Sequence, residues 1–201
     1  LASFKLDALE NLDRLENENR AVFEARKRFI LSNYEIIGET LKSGSVLFGD
    51  PISIYLNELL DRILIDRPSL RKKMRIYPMK SGYTNAYCTH QGIIFVTMGM
   101  LSKVKTEAEL AFIIMHEISH YTEDHLVERI VSRVNLRKKA GGYRFAYYSD
   151  LVEKQLQRTK NHELECDSIA AEYLLNSDFN NSVGNSVMNI LLRTHLPFEE
   201  S

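Results

Sequence analysis

His116, Glu117 and His120 form an H-E-x-x-H pattern. A helix turns about 100° per residue, so the two imidazoles leave one face, one turn apart and about 40° round from each other. Two neutral nitrogens at that spacing can grip one tetrahedral metal ion, and zinc is the usual occupant. Glu117 stands about 100° round from His116. That places it beside the metal rather than on it, where it can take a proton from a water the metal activates. The competing explanation is two chance histidines satisfied by core hydrogen bonds. The preceding run, residues 110–115, is apolar on every side and marks this helix as central and buried. Imidazoles and a carboxylate in such a place are costly without a partner, and a metal fits their spacing.

A catalytic metal of this kind needs a third protein ligand. The extended pattern ending in Gly and a third His is absent, because Glu123 and Leu126 occupy those positions. His125 lies nine residues beyond His116, which on a continuous helix is the opposite face, so it reads as a surface or second-helix contact. No acidic residue lies between Glu128 and Asp150, which removes a Glu about twenty residues downstream. The segment His162-Glu163-Leu164-Glu165-Cys166-Asp167 offers the alternative. Glu163 and Asp167 are one turn apart, and Ala170 and Leu174 continue their stripe. Two carboxylates heading an apolar stripe suit one ligand and one outer hydrogen-bond acceptor. Glu165 points about 200° away from Glu163 and reads as solvated.

The elements that must position these groups follow from periodicity and breakers. Residues 4–41 favour a helix, polar over 10–20, and Gly44 and Gly49 end it. Asp50-Pro51 reads as an N-cap followed by Pro at the first helical position of a helix reaching about Asp66. After Pro68 the texture changes. Residues 74–77, 85–88 and 92–98 are short, rich in aromatic and β-branched residues, and separated by turn formers. They predict a small, mainly antiparallel sheet. Thr106-x-x-Glu109 is a capping box opening a long helix over 107–134. A basic loop over 138–144, a helix over 147–175 and a last helix over 182–193 complete an α+β, mostly helical chain. An N-terminal helical segment (1–45) and one globular unit (46–201) are the expected division.

Composition narrows the classes. The chain has 201 residues, 44% hydrophobic and 26% charged, with 26 Lys+Arg against 27 Asp+Glu. Charge near zero argues against a nucleic-acid binder or a polybasic membrane-surface protein. The basic clusters at 71–75 and 137–139 therefore read as solvated faces. The longest apolar run has six residues, against about 18 or more for a membrane span. Two cysteines supply neither a disulfide framework nor a four-thiolate zinc site. The chain starts at Leu1 with no signal-like segment, which fits either a removed targeting segment or trimming.

Taken together, these residues resemble a family: the zinc metallopeptidases that include CaaX prenyl endopeptidases and the HtpX-type and BepA-type bacterial proteases. The resemblance rests on the motif with His125 after it, on Glu163 with Asp167 and Ala170, and on Asp50-Pro51 with Tyr55. Asn85-Ala86-Tyr87, residues 92–97, Gly99-Met100-Leu101, Glu109-Leu110-Ala111 and Thr194-His195 add to it, so it covers about residues 50–197. It implies a zincin-like (gluzincin) domain holding one Zn2+ through His116, His120 and Glu163. It further implies Glu117 as the catalytic base and Asp167 as the residue that orients a ligand histidine. His195 matches a family position from which a His reaches the active site, as a latch on the metal's open position or as an oxyanion donor. Cys88 and Cys166 stand where small residues such as Ala are common, and Leu196 interrupts a usual His-Pro pair. The cysteines then read as small buried hydrophobes, or as an oxidised pair in an exported protein.

The expected function is hydrolysis of peptide bonds in unfolded or misassembled proteins by a zinc-dependent endopeptidase. The strand over 92–97 is the expected sheet edge on which an extended substrate pairs its backbone; an ordinary strand buried on both sides is the competing reading. A zinc-stabilised binding or chaperone-like module with little peptidase activity is the alternative function, and the presence of Glu117 argues against it. By the family analogy, the location is the periplasm or cell envelope, with protein or peptide partners, no nucleic acid, and an anchor outside this chain.

Overall fold

The computed structural model describes residues 20–125 and 145–179, and side chains over the same residues except 145–159. Helix α1 (Arg20–Lys42) leads to α2 (Pro51–Ile63) and the short α3 (Pro68–Lys73). Strands β1 (Arg75–Met79), β2 (Ala86–Cys88) and β3 (Ile93–Thr97) follow, then α4 (Met98–Leu101), α5 (Glu107–Thr122) and α6 (Phe145–Leu175). The part of the expected 4–41 helix before residue 20, the expected helix over 182–193 and the basic loop over 138–144 lie outside the described residues, as does 137–139. At 71–75 the arginines are locally engaged: Arg71 pairs with Asp61 at 2.6 Å, and Arg75 Nη1 donates to the Met74 carbonyl at 2.7 Å. No helix of the described residues is long and apolar enough to cross a membrane.

The caps read from the sequence are in place. Asp50 accepts from the backbone N–H groups of Ile52 and Ser53, at 2.9 and 3.2 Å, and Pro51 opens α2. The Thr106 side chain accepts from Glu109 N–H at 3.2 Å, while the Glu109 carboxylate accepts from Lys105 N–H at 2.7 Å. Arg62 and Tyr55 on α2 both reach Glu107, at 2.6 and 3.0 Å, and tie α2 to the start of the motif helix.

The sheet is mixed. β2 and β3 form an antiparallel hairpin, Tyr87 opposite Phe95, whereas β1 lies parallel to β3, Tyr77 opposite Phe95. This parallel pair departs from the mainly antiparallel expectation. The cause is strand order, β1-β3-β2, in which the chain crosses past β3's place, forms β2, and turns back between them. The second expectation overturned is the sheet edge. β3 is central and buried at every position, so it is not the strand an incoming backbone could reach.

Both faces of β3 are covered. Ile94 and Val96 pack with Ile76, with Leu56, Leu59 and Leu60 of α2, and with Ile114, Met115 and Ile118 of α5. Ile93 and Phe95 face the other way, onto Ile37 of α1 and Val46. A strand buried twice reads as an unbroken apolar run, with no alternation to reveal an edge. Among the described residues, the free edge beside α5 belongs to β2. Asn85 O and Thr89 N–H bond across to β3, so by the two-residue period Ala86 and Cys88 turn their backbone groups outward.

Candidate active site

Helix α6 packs along α5, and Ala170 and Leu174 join the apolar core that α5 fills. This docking carries the first turns of the acidic stripe to the end of α5 where the motif lies. His116 Nε2 and His120 Nε2 are 3.2 Å apart, and each is 3.4 Å from Glu163 Oε2. Ligands at about 2.0–2.1 Å from a tetrahedral ion lie about 3.3–3.4 Å from one another. The three donors therefore match the triangle that one zinc ion requires, and their chemistry, two imidazoles and a carboxylate, suits it.

Behind His116, Asp167 Oδ1 accepts from Nδ1 at 2.8 Å, and this carboxylate is 4% exposed. Holding the proton on Nδ1 turns the Nε2 lone pair toward Glu163 and His120. Burial alone would lower the His116 pKa. The hydrogen bonds to Asp167 and Glu163, with the charge of Glu117, outweigh it and hold the imidazole up to about 9 on the protein's own groups. Hydrogen bonds from His116 and His120 hold Glu163 well below the usual carboxylate range.

Glu117 leaves α5 toward the sheet rather than into the donor triangle. The outward N–H of Cys88 donates to Glu117 Oε2 at 3.0 Å, so one carboxylate oxygen is anchored to the free edge of β2. Burial raises the Glu117 pKa, and the neighbouring imidazoles and the Cys88 N–H act against it. A carboxylate whose proton affinity is raised by burial is suited to proton transfer near neutrality.

His125 makes the expected contact with a second helix, α6, but it does so buried beside His120 rather than from the opposite face or the surface. It is 3% exposed, and its Nδ1 lies 3.1 Å from His120 Nδ1. The opposite-face assignment assumes an unbroken helix, but α5 ends at Thr122 and Asp124 adopts a left-handed φ of 57°. That turn swings His125 back over the last motif histidine. His162 stacks on His125 at 4.0 Å, with ring planes 3° apart, and Cys166 Sγ is 3.5 Å from His125 Nδ1. Glu165, expected in solvent, is 52% exposed yet brings Oε2 within 3.4 Å of His125 Nε2. Sequence reasoning missed this group because a mid-chain reversal at an aspartate leaves no glycine or proline signal. Cys88 and Cys166 are buried free thiols, and burial pushes both pKa values up. His195 lies outside the described residues.

A helix carrying the two histidines, a second helix returning a carboxylate, and a small sheet alongside define a metallopeptidase fold. The chain belongs to peptidase family M48, whose profile matches residues 55–200. It is 27% identical over 97 residues to the beta-barrel assembly-enhancing protease of Yersinia pestis, across 48% of this chain and 20% of that protein. It is 24% identical over 87 residues to the putative beta-barrel assembly-enhancing protease of Vibrio cholerae serotype O1, across 43% and 18% respectively. The alignments thus span about a fifth of the length of these relatives.

Proposed function

We propose that the chain is a zinc-dependent endopeptidase acting on unfolded or misassembled proteins, with residues 46–201 as the peptidase domain behind an N-terminal helical segment. The observation that carries this reading is the convergence of His116, His120 and Glu163 beside a separately anchored Glu117. His116, His120 and Glu163 would hold one zinc ion, and Asp167 orients His116. When bound, zinc supplies a Lewis acid that polarises the scissile carbonyl and eases deprotonation of the attacking water. Glu117 accepts the water proton on the oxygen that Cys88 leaves free, then returns it to the departing amine. His195 serves at the same site as latch or oxyanion donor.

The outward backbone of Ala86 on β2 can pair with an extended substrate next to Glu117. Pairing of this kind reads main chain rather than side chains, which suits substrates that have lost or never gained their fold. The names of the two relatives join a protease to beta-barrel assembly, and by the family analogy the proposed role is quality control at the cell envelope. A zinc-stabilised binding module has no use for a carboxylate anchored beside the donors, which favours catalysis.

The test pairs metal analysis with cleavage of an unfolded protein such as casein. One equivalent of zinc, with activity lost on chelation and restored by zinc, is expected. Glu117→Gln should retain the zinc and the fold while hydrolysis falls about 10²- to 10⁴-fold. Wild-type cleavage by that variant would refute the assignment of Glu117 as base.

A further inference from the structure

His116 has a carboxylate behind it; His120 does not. The atom facing the rear of His120 is His125 Nδ1, at 3.1 Å, and the protonation of the whole group follows from which atoms face which. His120 Nε2 points at His116 Nε2 and Glu163 Oε2, at 3.2 and 3.4 Å. For metal binding that nitrogen must present its lone pair, so the proton of a neutral His120 sits on Nδ1. A proton there requires an acceptor opposite, so His125 Nδ1 carries a lone pair and the His125 proton is on Nε2. That nitrogen faces Glu165 Oε2 at 3.4 Å. The reverse tautomer of His125 would bring two N–H groups together at 3.1 Å and aim a lone pair at a carboxylate.

We infer that His125 is a positioning residue for His120, the middle of a chain His120 Nδ1–H to His125 Nδ1, His125 Nε2–H to Glu165, that fixes the tautomer and ring orientation of the second motif histidine. The inference rests on the metallopeptidase reading above. Three features of the site support it. His125 is 3% exposed, so water does not substitute for it. The His162 ring, stacked at 4.0 Å and 3°, prevents His125 from rotating out of register. Glu165 is 52% exposed, so the chain of contacts ends on a carboxylate at the protein surface. Helix α6 therefore serves both histidines: Asp167 directly behind His116, and Glu165 behind His120 through the interposed His125.

The same atoms admit one competing arrangement. His120 Nδ1, His125 Nδ1 and Cys166 Sγ lie within 4.8 Å of one another and could hold a second metal ion. The hydrogen-bonded chain is favoured because it needs no thiolate and no doubly deprotonated imidazole in a buried place.

The experiment measures zinc affinity by competition with a chromogenic chelator for the wild type, His125→Phe and His125→Asn. Phe keeps a ring against His162 without an acceptor, while the Asn carbonyl sits close to where Nδ1 was. His125→Phe should bind zinc about 10- to 100-fold more weakly, and His125→Asn should recover most of the loss. Long-range 15N spectra of the zinc-loaded wild type should show His120 protonated on Nδ1 and His125 on Nε2. Unchanged affinity in His125→Phe, no recovery in His125→Asn, or the opposite tautomers would overturn the inference. So would a second equivalent of zinc that disappears in Cys166→Ala. If His125→Phe does not fold, Glu165→Ala carries the test, with an affinity loss of about 3-fold expected and none refuting. Failure of the underlying reading is separate: it would appear as full zinc retention in His120→Ala and Glu163→Ala, whatever the His125 variants do.

Discussion

Replacing Asp167 by Asn preserves shape and an acceptor oxygen while removing a buried negative charge 2.8 Å from His116 Nδ1. Loss of such an outer partner weakens metal binding by about 10- to 100-fold, or about 1.4–2.7 kcal/mol. A second effect runs the other way. His116 is held up to about 9, so at pH 7 zinc must displace a proton bound by about two pH units, at a cost of about 2.7 kcal/mol. Asp167 is the first of the groups raising that pKa, so Asp167→Asn relieves much of the proton competition. The wild type should therefore gain zinc affinity steeply between pH 7 and 9, by about tenfold per unit, and the variant should gain less. The gap between them is expected to be small at pH 7 and to reach its full size at pH 9 and above. Competition titrations with a chromogenic chelator across this range measure it directly. A gap that stays constant with pH, or that is widest at pH 7, would refute the account of His116. The zinc-free wild type provides a cross-check. Its folded His116 pKa stands above the ordinary 6.5, so the stability contributed is full below pH 6.5 and fades as pH rises through 9. Thermal melts of the chelated wild type should show that decline, and melts of Asp167→Asn a weaker one.

The remaining predictions concern the metal, the scaffold and the chain end. His120→Ala and Glu163→Ala should each leave two protein ligands, and zinc content after dialysis should fall well below one equivalent. Gly99→Ala should destabilise the fold by about 2 kcal/mol or more, because its Cβ would stand 2.3 Å from the Gly82 carbonyl oxygen. A chain of this size should then melt about 4–8 °C lower, and an unchanged melt would show that the loop over 80–85 gives way freely. His195→Ala should raise basal cleavage if the residue is a latch and lower it if it is an oxyanion donor. No change in cleavage removes it from the site.

Much of this site is legible in local spacing. The i, i+4 pairs His116 with His120 and Glu163 with Asp167 need nothing beyond helical geometry, and Asp50-Pro51 and Thr106-x-x-Glu109 mark their helices by chemistry within four residues. Long-range packing settles which of the two carboxylates meets the metal donors. Residues 116 and 167 are far apart in the chain, and the apolar stripe of Ala170 and Leu174 says that α6 docks without saying at what height along α5. The role of β3 was equally closed to local reading, since a continuous apolar run looks the same on a sheet edge under a helix as at a centre covered twice. His125 is the clearest case. Its distance from His116 in the chain implies the opposite face of a helix, and one left-handed residue, Asp124, returns it to His120. Helical periodicity holds as long as the helix does; where α5 stops is decided by how its end packs beneath His162 and Cys166 of α6.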